Sequence, residues 1–201
     1  MRGSELARRA TVVRETRETS ITCTVDLDGS GDGRRATGVP FLDHMLDQLA
    51  RHGGIDLDVT CRGDLHIDSH HSVEDCALVI GRAIHQALGD RVGIARMGHA
   101  IVPMDEALAS AAIDLSGRPY AIVATGDAGG SGLPASLLIH FVESLAMEAR
   151  LCVHLSVVAG RDPHHMAEAA FKALARALSM AVAVDPRRRG ALGSTKGTLL
   201  D

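Results

Sequence analysis

The chain has 201 residues, of which 46% are hydrophobic and 23% charged. This composition predicts a globular chain, either one domain or two small half-domains that share a core, and excludes an intrinsically disordered protein. The net charge of −4 and the aromatic content of 2% argue against a nucleic-acid-binding surface made of basic residues and stacking rings.

The first half of the chain alternates between strand and helix patterns. Apolar residues at every second position predict strands, and apolar residues three or four positions apart predict helices. These patterns predict strands at 11–16, 20–27 and 55–62 and helices at 41–52 and 69–88. Residues 1–9 are expected to be frayed, and Ser69 is expected to cap the second helix.

The second half repeats much of this order. It predicts strands at 107–115, 120–125 and 152–159, a loop at 127–132, and helices at 137–149 and 166–184. The first two strands are separated by a turn at 116–119 that contains Gly and Pro. The tail from Asp185 is basic and then rich in Gly, Ser and Thr, and we expect an ordered or ligand-ordered arm.

The cysteines bear on the cellular compartment. The chain has four, and no two of them form a C-x-x-C pair: Cys23, Cys61, Cys76 and Cys152. Each lies among apolar neighbours, which is typical of buried thiols in a reducing compartment. No apolar run reaches the roughly 18 residues of a membrane span. These features predict a cytoplasmic protein.

Histidine is the unusual residue of this chain, which contains eleven. A lone histidine on a shorter helix, His44, is followed by His70-His71-x-x-Glu74 at the start of a longer helix. The second half repeats this pattern with His140 and then a histidine pair and a glutamate at 164–168. The repeat indicates an internal duplication, with half-domains at 1–93 and 94–201.

The H-H-x-x-E pattern has a physical reason at the start of a helix. Residues three or four positions apart share a face, so each glutamate lies near its histidines, whereas adjacent histidines point about 100° apart. Each helix can therefore reach two metal ions. The helix N-terminus also favours the neutral imidazole that binds metal. The candidate metal ligands are His44, His70, His71, Glu74, His140, His164, His165 and Glu168.

These six imidazoles and two carboxylates correspond to three His and one Glu for each of two ions. Such a set without thiolates suits Mn, Fe, Co, Ni or Zn rather than Ca or Mg. A single histidine pair is usually only a surface feature, but two copies with matching neighbours favour metal binding. The other histidines are expected to be structural or exposed, although His66 is close enough to the cluster in sequence to support a ligand.

Several motifs resemble those of the imidazoleglycerol-phosphate dehydratase family. They are 14–19 (RETRET), 41–46 (FLDHML), 68–75 (DSHHSVED), 103–106 (PMDE), 116–119 (SGRP), 164–169 (HHMAEA) and 194–197 (STKG). The resemblance runs in order from about Arg9 to the end of the chain. Gly193 stands where Pro is common in the family, and Ala169 stands where the first half has Asp75; neither change removes a ligand.

The resemblance implies an α+β fold of two duplicated half-domains, each a mixed sheet of about four strands with helices on one face, the ribosomal protein S5 domain 2-like class. It also implies a homo-oligomer of 24 subunits with active sites between subunits and two Mn²⁺ ions per site. The implied reaction is the dehydration of imidazole glycerol phosphate to imidazole acetol phosphate in histidine biosynthesis. Ions on both ring nitrogens would stabilise an imidazolate, which then expels the C3 hydroxyl.

The resemblance also suggests roles for individual residues. Glu18 is the expected acid/base or hydroxyl-binding residue, with His71 and His165 the other expected catalytic residues; Asp105 and Glu106 are weaker candidates. The expected substrate-binding residues are Glu18, Gln48, Arg96, Arg118, Lys172, Ser194 and Lys196. Lys172 lies four residues after Glu168, so an ion pair on the helix is the alternative interpretation.

Two other functions fit the histidine pattern. A dinuclear metallohydrolase would use the ions to generate hydroxide, and its product would incorporate water. A metal-storage or metal-sensing protein would have a closed coordination sphere and no basic residues for a phosphate. Turnover of the substrate with loss of a hydroxyl would separate the dehydratase from both.

Overall fold

A computed structural model describes residues 7–188 and 190–199, which form two sheets and four long helices. In chain order the elements are β1 (Arg9–Glu15), β2 (Thr19–Asp26), β3 (Arg35–Ala36), α1 (Pro40–Gly53), β4 (Asp56–Gly63), α2 (His70–Leu88), β5 (Met97–Met104), β6 (Ala107–Asp114), β7 (Tyr120–Ala124), α3 (Ala135–Ala149), β8 (Cys152–Ala159) and α4 (Pro163–Val182). The described chain is thus α+β, as predicted.

The two sheets have the same topology. Their strand orders are β1-β2-β4-β3 and β5-β6-β8-β7, and in each sheet only the last pair is parallel. In β2 the alternating side chains of Ile21, Cys23 and Val25 are buried, because one face of the sheet is covered by helices. The repeated topology matches the duplicated half-domains expected from the sequence.

The helices form the middle of the molecule. Helix α2 packs on β1 and β2 and also against α3, while α4 packs on β5 and β6 and also against α1. The order of layers is therefore sheet, helices, helices, sheet, and one apolar cluster runs through all of them. Gly98 permits the close approach of β5 to α4, because a Cβ there would lie 2.0 Å from the Ala177 carbonyl oxygen.

The helix ends follow their local sequences. Pro40 begins α1 and Pro163 begins α4, at positions where the missing N–H costs nothing. Gly54 ends α1 in the left-handed conformation with φ 65°. Asp162 caps α4 by accepting a hydrogen bond from the His164 N–H at 2.8 Å.

The structure corrects several details of the predicted elements. Strands β3 and β5 were absent from the prediction, because β3 has two residues and β5 is half exposed with a glycine and a proline in it. Of the segment 1–9 that is expected to be frayed, residues 1–6 lie outside the described residues, and Arg9 lies in β1 and is not frayed. Ser69 holds the N-cap position of α2, as predicted, but its side chain makes no capping hydrogen bond. Its hydroxyl donates to the Gly132 carbonyl, and Asp68 accepts from the His70 N–H.

The described cysteines and helices agree with two further predictions. All four cysteines are free thiols. Between residues 7 and 199, Arg189 apart, no helix combines the length and the apolar character that would let it cross a membrane. Burial raises the pKa of the Cys23 thiol to about 12, so this residue is an inert part of the core.

Candidate metal centre

Helices α1 and α4 bring together a group of metal-ligand type that we name the first cluster: His44, His164 and Glu168. Oε1 of Glu168 lies 2.8 Å from Nε2 of His44 and 3.0 Å from Nε2 of His164. Glu168 is four residues after His164, so the two share one face of α4. His44 comes from the other half of the chain, which places this cluster at the junction between halves.

Helices α2 and α3 form the second cluster: His70, Glu74 and His140. The Glu74 carboxylate lies 3.5 Å from Nε2 of His70 and 3.4 Å from Nε2 of His140. Here too the lone histidine comes from the opposite half. Nε2 of His140 is buried and has no hydrogen-bond partner, which is costly unless another group is bound there.

Both clusters fit a transition-metal ion. In each, two imidazole nitrogens and one carboxylate oxygen lie within 4.8 Å of one another. Nitrogen and oxygen donors without thiolates suit Mn²⁺, Fe²⁺ or Zn²⁺. Three protein ligands would leave coordination positions open, which a catalytic ion requires. The unsatisfied His140 nitrogen is the observation that most directly supports this fit.

The second histidine of each pair points away from its own cluster. Nδ1 of His71 lies 2.9 Å from the Asp64 carboxylate, and Nδ1 of His165 lies 2.9 Å from the Glu106 carboxylate. The hydrogen bond to its carboxylate raises the pKa of each of these two imidazoles. A carboxylate on Nδ1 also leaves Nε2 free to bind a partner and holds the ring in place.

Acidic residues lie on the outer side of both rings. Nε2 of His71 is 3.9 Å from Glu18 Oε1, and Nε2 of His165 is 3.8 Å from Asp105 Oδ2. Glu18 also lines a cleft of about 400 Å³ together with Asp64 and His66. The structure thus brings Glu18 next to His71 and not next to either cluster of its own chain.

Glu168 carries an additional partner. Its Oε2 accepts a hydrogen bond from Lys172 Nζ at 2.6 Å, and both side chains are largely buried. Burial by itself would raise the pKa of Glu168, but the hydrogen bonds from Lys172, His44 and His164 together lower it to about 2. Lys172 therefore forms the ion pair that its spacing permits, inside the protein rather than on its surface.

Of the remaining candidate residues, Gln48 lies beside the first cluster, and three others lie in the C-terminal arm or bind it. Arg96 donates to both oxygens of Asp114, at 2.7 and 2.8 Å, and to the Gly193 carbonyl at 2.5 Å, which holds the C-terminal arm. In that arm Ser194 accepts a hydrogen bond from the Lys196 N–H at 3.2 Å. Gln48 lies one turn after His44 on α1 and is partly buried.

Arg118 lines a groove of about 710 Å³ with Arg82 and His85 at the C-terminal part of α2. His70, in the second cluster, begins the same helix. At a rise of 1.5 Å per residue, it lies about 22 Å from His85 along the helix axis. Arg118 is thus too distant to act together with this cluster of the same chain.

Sequence reasoning missed one contact at this centre. Asp64 orients His71, but it lies in an ordinary turn after β4 and no pattern marked it. The one available signal was the duplication, since Glu106 holds the matching position beside His165.

Comparisons with known proteins point in one direction. The model of the imidazoleglycerol-phosphate dehydratase family matches residues 37–178. An imidazoleglycerol-phosphate dehydratase of Cutibacterium acnes is 51% identical over 202 residues, covering 96% of this chain and 98% of the relative. One of Gluconacetobacter diazotrophicus is 52% identical over 198 residues, covering 97% and 100%.

Solved structures give the same result. The crystal structure of IGPD from Pyrococcus furiosus in complex with (S)-C348 superimposes with a TM-score of 0.81 at 36% identity, covering 94% of this chain and 100% of that one. The enzyme of Staphylococcus aureus superimposes with a TM-score of 0.79 at 31% identity, covering 88% and 99%.

Proposed function

This chain belongs to the imidazoleglycerol-phosphate dehydratase family, the hydro-lyases that remove water from imidazole glycerol phosphate in histidine biosynthesis, and on that premise we propose that its two clusters are the metal sites of this reaction. Each cluster would hold one ion, with Mn²⁺ as the proposed metal. The proposed metal ligands are the eight named from the sequence. The family is metal-dependent, and the His/Glu groups of this chain are suitable ligands.

One observation carries this proposal. The two clusters are copies of one arrangement, two histidines and a glutamate, and each is assembled from both halves of the chain. Nε2 of His140 is buried and makes no hydrogen bond, and it lies 3.4 Å from the Glu74 carboxylate, so it is available to an ion that this carboxylate also binds. The bound ions would supply positive charge that stabilises a developing anion on the imidazole ring of the substrate.

Glu18 is the proposed acid/base residue. Its Oε1 would take the proton from the substrate carbon next to the ring, or return a proton to the departing hydroxyl. Its position 3.9 Å from His71 supports this role, because it places a carboxylate beside a proposed metal ligand. More than half of its side chain is exposed, so a substrate can reach it from the cleft.

His71 and His165 are the proposed ligands that complete the sites of other copies of the chain. Within one chain their Nε2 atoms face outward while carboxylates fix their Nδ1 atoms. Each cluster has two histidines of its own, and a third from another copy would give three. This arrangement supports an assembly with active sites between subunits, for which we propose 24 subunits.

The outer face of the second sheet supports such an assembly. Large apolar side chains project there from β5, β7 and β8, and Ile101 is 70% exposed and Tyr120 is 62% exposed. In the first sheet the outer positions of β2 and β4 carry Thr, Ser, Asp and Arg, and among the described strands of this sheet Val13 on β1 is the large apolar side chain that is exposed. An apolar face of this kind is typical of a subunit contact.

The phosphate of the substrate needs cations and donors. The proposed groups are Arg96, Arg118, Lys172, Ser194 and Lys196, with Gln48 near the ring. Arg118 and Lys196 are exposed, and the groove around Arg118 carries further arginines. This groove and the second cluster lie at opposite ends of α2 in one chain. A substrate that contacts both this cluster and Arg118 would therefore need Arg118 from another copy of the chain.

We place the protein in the cytoplasm, and its four free thiols support a reducing compartment.

The test is an assay of dehydration on imidazole glycerol phosphate with metal analysis of the same samples. Chelation should abolish turnover, and addition of Mn²⁺ should restore it. His140→Ala, which removes one ligand, should lower bound metal and turnover together, whereas Val13→Ala on the outer face of the first sheet should leave both unchanged. Full turnover of the His140→Ala protein in the presence of chelator would contradict the proposal.

A further inference from the structure

The two clusters have the same ligands but differ in one charged neighbour. Lys172 Nζ donates a hydrogen bond to Glu168 Oε2 at 2.6 Å in the first cluster. The matching position in the second cluster, four residues after Glu74 on α2, is Leu78. The first cluster therefore combines a carboxylate with an ammonium group, and the second has a carboxylate alone.

The acidic residues around the two histidine pairs are matched between the clusters. Asp162 and Asp68 accept hydrogen bonds from the backbone N–H of the first histidine of each pair, at 2.8 and 2.7 Å. Glu106 and Asp64 lie 2.9 Å from Nδ1 of the second histidine of each pair. The duplication thus supplies these acidic residues in pairs.

Asp75, which follows Glu74, has no acidic counterpart, because Ala169 follows Glu168. The Asp75 carboxylate is bound, however, by Arg14 and Thr19 of the first sheet. Lys172 is therefore the unmatched charge that contacts a cluster glutamate directly.

The environment of Lys172 makes its charge effective. The Lys172 side chain is 15% exposed and that of Glu168 is 10% exposed, whereas that of Glu74 is 36% exposed. Charges are screened less in such surroundings than at the surface. The two oxygens of Glu168 also face different groups, Oε1 the imidazoles and Oε2 the ammonium. Glu168 can therefore serve an ion through Oε1 and keep its contact with Lys172.

Lys172 has two opposing effects on a divalent ion in the first cluster. It orients the carboxylate, which favours binding by a small amount because one side chain is already ordered. It also adds a positive charge a few ångströms from the ion and withdraws electron density from its ligand. The repulsion between two cations in a largely buried site is the larger effect.

From this difference we propose that the two clusters bind Mn²⁺ with unequal affinity, that the second cluster fills first, and that Lys172 sets the order. The inference rests on the proposed function, since it requires that both clusters bind metal. It extends that function by making the two ions of a site distinct in affinity.

The experiment is a titration of the metal-free, full-length chain with Mn²⁺, in which electron paramagnetic resonance counts the free ion. Two classes of site are expected in the wild type, one ion per chain in each, with dissociation constants about tenfold apart or more, which corresponds to about 1.4 kcal/mol. His140→Ala should remove the tight class, and His44→Ala should remove the weak class.

Reciprocal variants test the role of Lys172. Lys172→Leu should tighten the weak class and bring the two classes together, and Leu78→Lys should weaken the tight class. Arg176→Leu is the matched control, because it removes a positive charge two turns after Glu168 on α4, and it should preserve the separation. Circular dichroism checks that each variant is folded, and Lys172→Met replaces Lys172→Leu if the latter is not.

Three results would overturn the inference while the proposed function stands: one class of two equal sites in the wild type, loss of the tight class in His44→Ala, or unchanged separation in the Lys172 variants. Absence of Mn²⁺ binding in the wild type would overturn the proposed function itself, and this inference with it.

Discussion

At the scale of single residues, the centre depends on carboxylates that do not face the clusters. The Glu106 carboxylate accepts a hydrogen bond from Nδ1 of His165. It also accepts hydrogen bonds from the backbone N–H groups of Arg161 and Asp162, at 3.2 and 2.9 Å. The pKa of Glu106 is lowered to about 2, and the hydrogen bond with His165 is the largest cause, followed by that from the Asp162 N–H. Glu106 is therefore ionised throughout the working range and holds the ring of His165.

Glu106→Gln tests this role. The neutral amide is a weaker partner for an imidazole, and loss of such a group typically lowers metal affinity or activity about 10-fold to 100-fold. We expect that loss in Mn²⁺ affinity, measured by equilibrium dialysis. Asp105→Asn, whose side chain is exposed and 3.8 Å from the other ring nitrogen, is the control and should have a smaller effect; equal effects would contradict the assigned role.

His85 provides a prediction on pH. Burial, with the charges of Arg91 and Arg150, lowers the pKa of His85 below its ordinary value of 6.5. As the pH falls through about 6.5 the unfolded chain binds a proton at this residue before the folded chain does. His85 therefore lowers the free energy of unfolding as the pH falls below about 6.5. This decrease in stability stops once the pH is below the pKa of His85 in the folded protein.

We expect His85→Gln to reduce this pH dependence. Glutamine can still accept the hydrogen bond that Arg91 makes to Nδ1 of His85, at 3.1 Å, but it does not titrate. Urea unfolding at pH 7.5 and pH 5.5 should show a smaller difference between the two pH values in the variant than in the wild type. An identical difference would mean that His85 does not titrate differently on folding.

At the scale of elements, close contacts between helix and strand position the clusters. Helix α4 carries His164 and Glu168, and its distance from β5 is set at Gly98, where a Cβ would meet the Ala177 carbonyl oxygen at 2.0 Å. Helices α2 and α3 approach in the same way at Gly81, whose Cβ would lie 2.6 Å from the Leu145 carbonyl oxygen. Small residues thus decide how near the ligand-bearing helices come.

Gly98→Ala should destabilise the protein by about 1–3 kcal/mol, the usual cost of added volume in a packed core. Chemical denaturation measures the change. Gly53→Ala is the control, because its Cβ would meet nothing closer than 3.6 Å and should cost nothing. An unchanged free energy of unfolding in the Gly98→Ala protein would show that β5 and α4 can move apart without a loss of stability.

At the scale of the whole molecule, the two sheets are alike in topology but not on their outer faces. The face of the second sheet is apolar, with Met97, Ile101 and Tyr120 strongly exposed. A duplication by itself would give both sheets equivalent outer faces. The difference in apolar character therefore indicates that the outer face of the second sheet acquired a contact with another subunit. We expect this face to be buried between subunits.

Ile101→Glu should therefore reduce the assembly to smaller species, measured by light scattering after size-exclusion chromatography. A buried, unpaired carboxylate at the contact is unfavourable by several kcal/mol. Val13→Glu is the matched control, because Val13 is 62% exposed, against 70% for Ile101, and lies on β1, the edge strand of the first sheet that corresponds to β5. Unchanged size in the Ile101→Glu protein would exclude this face from the contact.

The sequence by itself determined most of the elements and the ligand types, because hydrophobic period and helix geometry are local properties. The α+β class was implied by the resemblance of its motifs to a family. Spacing of three or four residues allowed each glutamate to lie near either histidine of its pair, and the structure places Glu74 with His70 and Glu168 with His164.

Only the tertiary structure decided that His44 lies with His164 and Glu168 of α4. It also decided that His140 lies with His70 and Glu74 of α2, because the packing of the helix layers determines which lone histidine reaches which helix. It likewise decided that Asp64 faces His71 and that Lys172 is buried against Glu168, contacts set by chain folding over distances no local pattern encodes.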